Sequence, residues 1–171
     1  MRILGIDPGS RITGYGVIDI IRNRSRYVES GAIHTTDERI PQRLKEIFDG
    51  ILTVLDHFEP TEIAIERLFL HRNPDSALKL GQARGAAICA VMSREIAISE
   101  YSPAEIKKAV VGKGNAKKEQ VQHMITALLQ LSATPQSDAA DALAVALCHF
   151  HTGGVLNRIP QATASRRGRY R

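Results

Sequence analysis

Residues 2–10 read RILGIDPGS, and this stretch decides the fold of the chain. Arg2–Asp7 predicts a β-strand, because residues 3–6 form a nearly continuous apolar run, as in central strands that are buried on both faces. The Pro-Gly pair that follows ends the strand. An acidic residue, Asp7, therefore stands at the carboxyl end of a central buried strand.

Two further strands, a long helix and a fourth strand follow. Gly14–Ile21 and Arg26–His34 predict strands joined by a short polar turn, which makes the first three strands an antiparallel meander. Arg39–Phe58 carries apolar residues at helical spacing and predicts an amphipathic helix. Thr61–Glu66 is a second short buried strand. A strand, a helix and a strand in this order usually form a right-handed parallel crossover, so the two buried strands should be parallel.

The second half of the chain predicts an α/β domain that continues with one more strand and four helices. We see no internal repeat and expect one domain over residues 1–152, followed by a basic tail over residues 153–171 that begins at two glycines. The further helices are expected from Asp75 or Ser76 to about Arg94 and over Pro103–Val110, Lys117–Leu131 and Asp138–Phe150, with a strand at Ile96–Tyr101.

Small side chains recur every four residues along the helix that begins near Asp75. They are Ala77, Gly81, Gly85 and Cys89. Because a glycine inside a helix costs about 1 kcal/mol relative to alanine, two of them need a packing reason. Either the sheet or a second subunit could approach closely at this stripe.

The composition favours a single globular domain. Of the 171 residues, 43% are hydrophobic, which is enough for one sizeable core. No apolar run approaches the roughly 20 residues that span a bilayer, and no secretory signal is visible, so we expect a cytoplasmic protein. Cys89 and Cys148 lack partners at metal-ligand spacing and are expected to be buried apolar residues.

The positive charge is concentrated near one end. The net charge is +5, and the last fourteen residues hold five arginines and no acid, so the rest of the chain is neutral overall. Such a tail either contacts nucleic acid non-specifically or is a solvated end, and the sequence does not distinguish the two.

Four acidic residues are placed where they could meet. If the two buried strands are neighbours, Asp7 and Glu66 emerge at the same carboxyl edge of the sheet, where functional sites of open α/β sheets lie. Asp138 and Asp141 share a face of the last helix that continues as an apolar stripe, so this pair points toward the protein. Taken singly, these acids could instead be turn residues, a solvated strand end or partners of a helix N-terminus.

Carboxylates that converge need a counter-charge, because burying an uncompensated carboxylate is costly. Mg²⁺ accepts oxygen ligands and keeps waters that phosphate oxygens can replace. Two such ions can activate a water and stabilise the leaving oxygen at phosphorus. The pattern therefore predicts metal-dependent phosphodiester hydrolysis.

The motifs around these acids resemble those of the RuvC family of Holliday junction resolvases, over roughly residues 1–150. The matching stretches are IDPGS at 6–10 with TGYG at 13–16, AIE at 64–66, DSALKLGQARG at 75–85 and SDAADALA at 137–144.

The resemblance implies a ribonuclease-H-like fold, with a five-stranded mixed sheet flanked by helices. It implies a homodimer that binds four-way DNA junctions and nicks two strands of like polarity symmetrically with Mg²⁺ or Mn²⁺. A two-fold dimer provides the two identical sites that such nicking needs. It also implies a role in recombination and repair alongside a branch-migration helicase complex. By the same resemblance the catalytic ligands of two metal ions are Asp7, Glu66, Asp138 and Asp141.

Lysines and one loop are the candidate DNA contacts. Lys107, Lys108, Lys113 and Lys118 lie in a stretch without acids, which favours contact with the DNA backbone over a merely solvated face. The resemblance singles out Lys107 and Lys118.

Phe69 lies three residues past Glu66, close to Arg72. An aromatic side chain here either packs between Leu68 and Leu70 or stacks on a splayed base, and the resemblance favours the second. Arg72 is a candidate DNA contact in the same loop, and Arg84 is a further candidate for phosphate.

Three other classes of protein share parts of this pattern. A ribonuclease H that cleaves RNA–DNA hybrids would use the same metal chemistry. An actin-like or sugar-kinase-like ATPase also has a strand followed by Asp-x-Gly, but such proteins close two domains around a nucleotide and 171 residues are too few. A DNA-binding module without catalysis would be unaffected by replacement of Asp7.

Overall fold

A five-stranded mixed sheet forms the centre of the structure, a computed structural model that describes residues 1–68 and 73–156. The strand order is β3-β2-β1-β4-β5. The predicted α/β fold with a mixed sheet flanked by helices is therefore confirmed. The elements are β1 (Arg2–Asp7), β2 (Ile12–Ile21), β3 (Arg24–His34), α1 (Ile40–Phe58), β4 (Glu62–Glu66), α2 (Pro74–Met92), β5 (Ile98–Tyr101), α3 (Pro103–Val111), α4 (Lys118–Leu128) and α5 (Ser137–Leu156).

Strand β1 lies at the middle of the sheet, as its apolar run predicts. It pairs antiparallel with β2, where Asp7 lies opposite Gly14, and parallel with β4, where Ile6 lies beside Ile65. Helix α1 makes the predicted crossover between these two parallel strands. A two-residue turn at Arg22 and Asn23, both with positive φ, joins β2 to β3, so β3 begins two residues earlier than predicted. Strand β2 ends at Ile21 as predicted but begins two residues earlier, at Ile12.

Helices cover both faces of the sheet. Leu4 and Ile6 of β1 pack in a core beneath α1 and α2, whereas Ile3 packs on the opposite side with α3, α4 and α5. This alternation follows from the two-residue period of a strand. Both cores meet at β1 and β4, whose carboxyl ends are thereby held in fixed positions.

Helix α5 lies directly on the sheet because three strand residues that face it, Gly5, Gly14 and Gly16, lack a side chain. A Cβ at Gly5 would overlap the main-chain carbonyl of Ala142, and a Cβ at Gly14 would overlap that of Asp138. The close approach at Gly14 brings the first turn of α5 beside the end of β1.

Several helix ends differ from the predictions. Helix α2 begins at Pro74 because the Asn73 side chain caps it by accepting a hydrogen bond from the main-chain N–H of Asp75 at 3.0 Å. Helix α4 stops at Leu128, and Gln130 has a φ of 52°, outside the helical range. Helix α5 continues beyond its predicted end at Phe150, through the two glycines predicted to begin the tail, as far as Leu156. Residues 157–171 of the predicted tail lie outside the described residues.

The small-residue stripe of α2 does not face the sheet. A Cβ at Gly81 or Gly85 would meet no atom within 4 Å, whereas Ala83 and Ala87 on the other side of the helix are buried. Cys89 lies on the outward face and is exposed, so the expectation that both cysteines are buried is wrong for Cys89 and right for Cys148. Within residues 1–68 and 73–156, none of the helices has the length and apolar character needed to cross a bilayer.

Candidate active site

The carboxyl ends of β1 and β4 and the first turn of α5 meet at one edge of the sheet. Asp7 and Glu66 are the last residues of neighbouring parallel strands, one position beyond the Ile6–Ile65 pair. Asp138 approaches from the helix, because its main chain lies against Gly14, the β2 partner of Asp7. The fold thus places the predicted acids around one point.

The electrostatics of Asp7 show how close these acids are. The pKa of Asp7 is raised to about 8. Burial is the largest cause, and the negative charges of Glu66, Asp141 and Asp138 act in the same direction. Its proton also forms a hydrogen bond to Glu66. Each of the other three predicted carboxylates therefore lies close enough to Asp7 to act on it, and Asp7 holds a proton at neutral pH.

Glu66 experiences opposing influences. Burial raises its pKa, and the charge of Asp141 acts in the same direction. The hydrogen bond from Asp7 and the positive charges of Lys107 and Lys118 lower it. The Glu66 carboxylate thus lies between the acids of the cluster and two lysines.

Lys118, the first residue of α4, supplies a positive charge at the site. Its ammonium donates to the Asp141 carboxylate at 2.6 Å. The pKa of Lys118 is raised by this hydrogen bond and by the nearby charges of Asp141, Asp138 and Asp7. The lysine neutralises part of a cluster that would otherwise repel itself.

The chemistry of the four side chains fits a hard divalent cation, which prefers oxygen ligands. As the side chains stand, however, no group of three Asp, Glu, His or Cys residues in the described ranges is arranged to hold an ion. Asp7 and Glu66 share a proton and Asp141 is bonded to Lys118. A cation would have to displace both the proton and the lysine.

The turn after Asp7 is held from two sides. The buried Thr13 hydroxyl donates to the Gly9 carbonyl at 3.0 Å and accepts from the Gly9 N–H at 3.3 Å. The buried Arg43 of α1 donates to the Ser10 carbonyl. From the sequence, Thr13 is visible only as part of the TGYG motif at 13–16 and Arg43 not at all, because neither residue type marks a site and their contacts span different elements.

A sequence model of the family described as crossover junction endodeoxyribonuclease RuvC matches residues 3–149. The chain belongs to the RuvC family. It is 60% identical over 170 residues to the crossover junction endodeoxyribonuclease RuvC of Aeromonas hydrophila subsp. hydrophila, covering 99% of this chain and 98% of that protein. The RuvC of Shewanella sp. (strain ANA-3) is 58% identical over 170 residues, with the same coverage.

Solved structures of RuvC proteins have the same fold. The Thermus thermophilus RuvC structure matches with a TM-score of 0.82 at 33% identity, covering 91% of this chain and 96% of that one. The structure of T. thermophilus RuvC in complex with Holliday junction substrate matches with a TM-score of 0.85 at 34% identity and the same coverage. The yeast mitochondrial Holliday junction resolvase Ydc2, at 14% identity and a TM-score of 0.67, shares the fold.

The lysines predicted for this RuvC-family chain divide into two groups. Lys107 of α3 and Lys118 of α4 lie close enough to Glu66 to lower its pKa. Lys108 and Lys113 are exposed, on α3 and in the segment that follows it. Phe69 and Arg72 lie outside the described residues, so their predicted role stays a prediction.

Arg84 of α2 lies in a different place from the one expected. It was a candidate for contact with phosphate, but its side chain is only 18% exposed and forms an ion pair with Glu100. Its guanidinium also donates to the main-chain carbonyl of Glu66 at 3.1 Å. No sequence pattern predicts this contact, because the two residues lie on elements joined by a loop.

Proposed function

We propose that this chain is a structure-selective endonuclease that resolves four-way (Holliday) DNA junctions by nicking two strands of like polarity symmetrically, during recombination and repair. Family membership supports the nuclease activity. The likeness to T. thermophilus RuvC in complex with Holliday junction substrate supports the choice of DNA. The observation that carries the proposal is geometric: Asp7 and Glu66 end neighbouring parallel strands, and the first turn of α5 brings Asp138 against the same edge of the sheet.

The proposed cofactor is Mg²⁺, two ions per site, for which Mn²⁺ can substitute. Asp7, Glu66, Asp138 and Asp141 would hold these ions. When bound, they would activate a water and stabilise the charge that develops on the scissile phosphate. For this, Asp7 gives up its proton and Lys118 leaves Asp141. The freed Lys118 ammonium can then contact a phosphate oxygen of the bound strand.

The proposed DNA surface extends from the site over α3 and α4. Lys107 and Lys118 act on the Glu66 carboxylate, and Lys108 and Lys113, exposed in the same stretch of sequence, are included in the proposal. The phosphate backbone binds such a cluster in a salt-dependent manner that does not depend on base sequence. We include Phe69 and Arg72, which follow Glu66 along the chain, as contacts with the junction.

We further propose that the protein acts as a homodimer that associates through the outward face of α2. Leu78 and Met92 are 63% and 53% exposed on this helix. Gly81 and Gly85 would let a second copy approach closely, and nothing in the protomer fills the space beside them. A two-fold arrangement would supply two equivalent sites for two equivalent strands.

The remaining parts of the proposal concern the cellular setting. A branch-migration helicase complex is the expected partner, because it would deliver the junction on which the enzyme acts. The cytoplasm, where a bacterial chromosome lies, is the expected location.

The decisive experiment incubates a labelled immobile junction with the protein, with Mg²⁺ or with EDTA. We expect paired symmetric nicks that need the metal, and no comparable cleavage of an RNA–DNA hybrid duplex. Asp7→Asn should lose cleavage by at least about 10³-fold while junction binding survives. Preferred cleavage of the hybrid, ATP hydrolysis without DNA, or normal cleavage by Asp7→Asn would each contradict the proposal.

A further inference from the structure

Arg84 connects the inward side of α2 to the end of the strand that carries Glu66. Its Nε donates to the Glu66 carbonyl oxygen at 3.1 Å, and its Nη2 donates to Glu100 Oε2 at 2.7 Å. One planar guanidinium therefore joins α2, β4 and β5. Because the guanidinium is planar and rigid, it loses little conformational freedom when its N–H groups bond two acceptors at once.

The last residue of β4, Glu66, pairs with Tyr101 of β5 on one side, whereas the pairing of β4 with β1 ends one residue earlier, at Ile65. Beyond Glu66, the Arg67 N–H donates to the Tyr101 carbonyl at 2.8 Å, and then the chain leaves the sheet. Arg67 also donates to the Glu100 carbonyl at 3.2 Å, but this side chain lies at the surface. The Arg84 side chain is 18% exposed, against 45% for Glu100, so its bond to the Glu66 carbonyl is the sheltered one.

The orientation of the Glu66 peptide matters because its side chain is part of the carboxylate cluster. If the carbonyl lost its donor, the partly buried oxygen would turn toward water and carry the Glu66 backbone with it. A shift of about 1 Å in a catalytic group can cost about 10²-fold in rate. Residues that orient ligands in this way typically change metal affinity or activity by about 10–100-fold when replaced.

We propose that Arg84 is a positioning residue for Glu66, fixing the end of β4 so that the carboxylate meets Asp7 and Asp141. This inference rests on the proposed function, in which Glu66 is a metal ligand. The outward side of the same helix is the proposed dimer face, with Gly85 next to Arg84 in the chain. Association of two protomers on that face would hold in place the helix from which Arg84 reaches the site.

The test compares Arg84→Gln and Arg84→Lys with a matched control, Arg94→Gln. Arg94 lies just after α2 and also bonds a carboxylate, that of Asp56 of α1, at 2.9 Å, but it has no contact with the site. We expect Arg84→Gln to lower kcat for junction cleavage about 10–100-fold with KM within about twofold. Arg84→Lys should recover part of kcat, because lysine keeps the charge but not both directed bonds.

Two further measurements do not depend on cleavage. Calorimetric titration of the DNA-free protein with Mn²⁺ should show affinity weakened about 10-fold in Arg84→Gln and unchanged in Arg94→Gln. The Arg67 amide should exchange its hydrogen faster in Arg84→Gln, because the strand end that it belongs to has lost a constraint. If Arg84→Gln fails to fold, Glu100→Gln, which removes only the anchor of the guanidinium, should show the same effects in weaker form.

The outcomes separate this inference from the proposed function. A KM increase at constant kcat would show that Arg84 contacts DNA. A loss of thermal stability alone, equal to that of Arg94→Gln, would show that Arg84 has only a structural role. Either result overturns the inference and leaves the nuclease proposal standing. If the unaltered protein cleaves no junction with Mg²⁺, the proposed function fails, and the Arg67 exchange rate still decides whether Arg84 fixes the end of β4.

Discussion

At the scale of single residues, the proton on Asp7 governs the charge of the site. Burial and the neighbouring carboxylates raise the pKa of Asp7 from 3.8 to about 8. The folded protein therefore binds one more proton than the unfolded chain between these two pH values. Stability that this group contributes is fully present below the unfolded pKa and is lost as the pH rises toward 8.

Asp7→Asn should remove this pH dependence, since asparagine carries no charge to bury. In EDTA, we expect the variant to be more stable than the unaltered protein at pH 8, by on the order of 1–3 kcal/mol, and the difference to shrink as the pH falls toward 5. Thermal unfolding between pH 5 and pH 8.5 measures the difference. Parallel stability curves for the two proteins would show that Asp7 does not titrate as described.

Lys107 permits a test of the DNA surface at the same scale. Lys107→Ala should weaken junction binding and reduce the slope of log affinity against log salt by about 1, because one phosphate contact is lost. Lys45→Ala is the matched control, since Lys45 is an exposed lysine that pairs with Asp49 on α1. Fluorescence anisotropy over a series of salt concentrations gives the slope for each variant and for the unaltered protein. If Lys107→Ala has the same slope as the unaltered protein, Lys107 is not part of the interface.

At the scale of elements, the site depends on how α5 lies on the sheet. The sequence predicts the strand ends at Asp7 and Glu66 and the helical Asp138–Asp141 pair, because local periodicity determines each of them. It does not predict that Gly14 receives the Asp138 main chain, nor that Arg84 reaches Glu66, because these contacts join distant elements. It also does not predict that α2 begins at Pro74 behind the Asn73 cap, or that α5 continues through two glycines to Leu156.

The contact between Gly14 and α5 leads to an element-scale prediction. Gly14→Ala should displace the first turn of α5, because the new Cβ would overlap the Asp138 carbonyl. We expect a loss of about 1–3 kcal/mol in stability, as for other overpacked positions, and loss of most cleavage activity. In the control Gly153→Ala, the added Cβ meets nothing within 4 Å.

The control should gain about 0.5–1 kcal/mol, since alanine favours a helix over glycine. Chemical denaturation measures both changes. If Gly14→Ala were as stable and active as the unaltered protein, α5 would not need this close approach to build the site.

A different element-scale contact should affect stability alone. The Tyr101 hydroxyl and His149 Nδ1 are 2.8 Å apart, and His149 Nε2 lies 2.5 Å from the Glu62 carboxylate, which forms a chain between β5, α5 and β4. His149→Phe should cost about 1–3 kcal/mol, because the buried Tyr101 hydroxyl loses its partner. Cleavage at a temperature well below unfolding should stay within about twofold, since this chain touches none of the four carboxylates.

At the scale of the whole molecule, the sheet edge that carries the carboxylates and the outward face of α2 are separate surfaces. Helix α2 links them, because Arg84 on its inward side bonds the Glu66 carbonyl. The carboxylates lie at the ends of β1 and β4, whereas Leu78, Gly81, Gly85 and Met92 face away from the sheet. A dimer through α2 would thus leave both active sites open to DNA. Two nicks could then be made within the lifetime of one complex.

Gly85→Arg tests this arrangement. A protomer should tolerate the change, because no atom lies within 4 Å of the added Cβ and arginine favours a helix, whereas a two-fold contact would bring two new charges together. Sedimentation should show monomers, and a cruciform plasmid should give single nicks in place of paired ones. Thr53→Arg, on the exposed surface of α1, should stay dimeric and make paired nicks. If the Gly85→Arg protein stays dimeric, the subunit contact lies elsewhere. If it is monomeric and still makes paired nicks, the two cuts do not require two sites joined in a dimer.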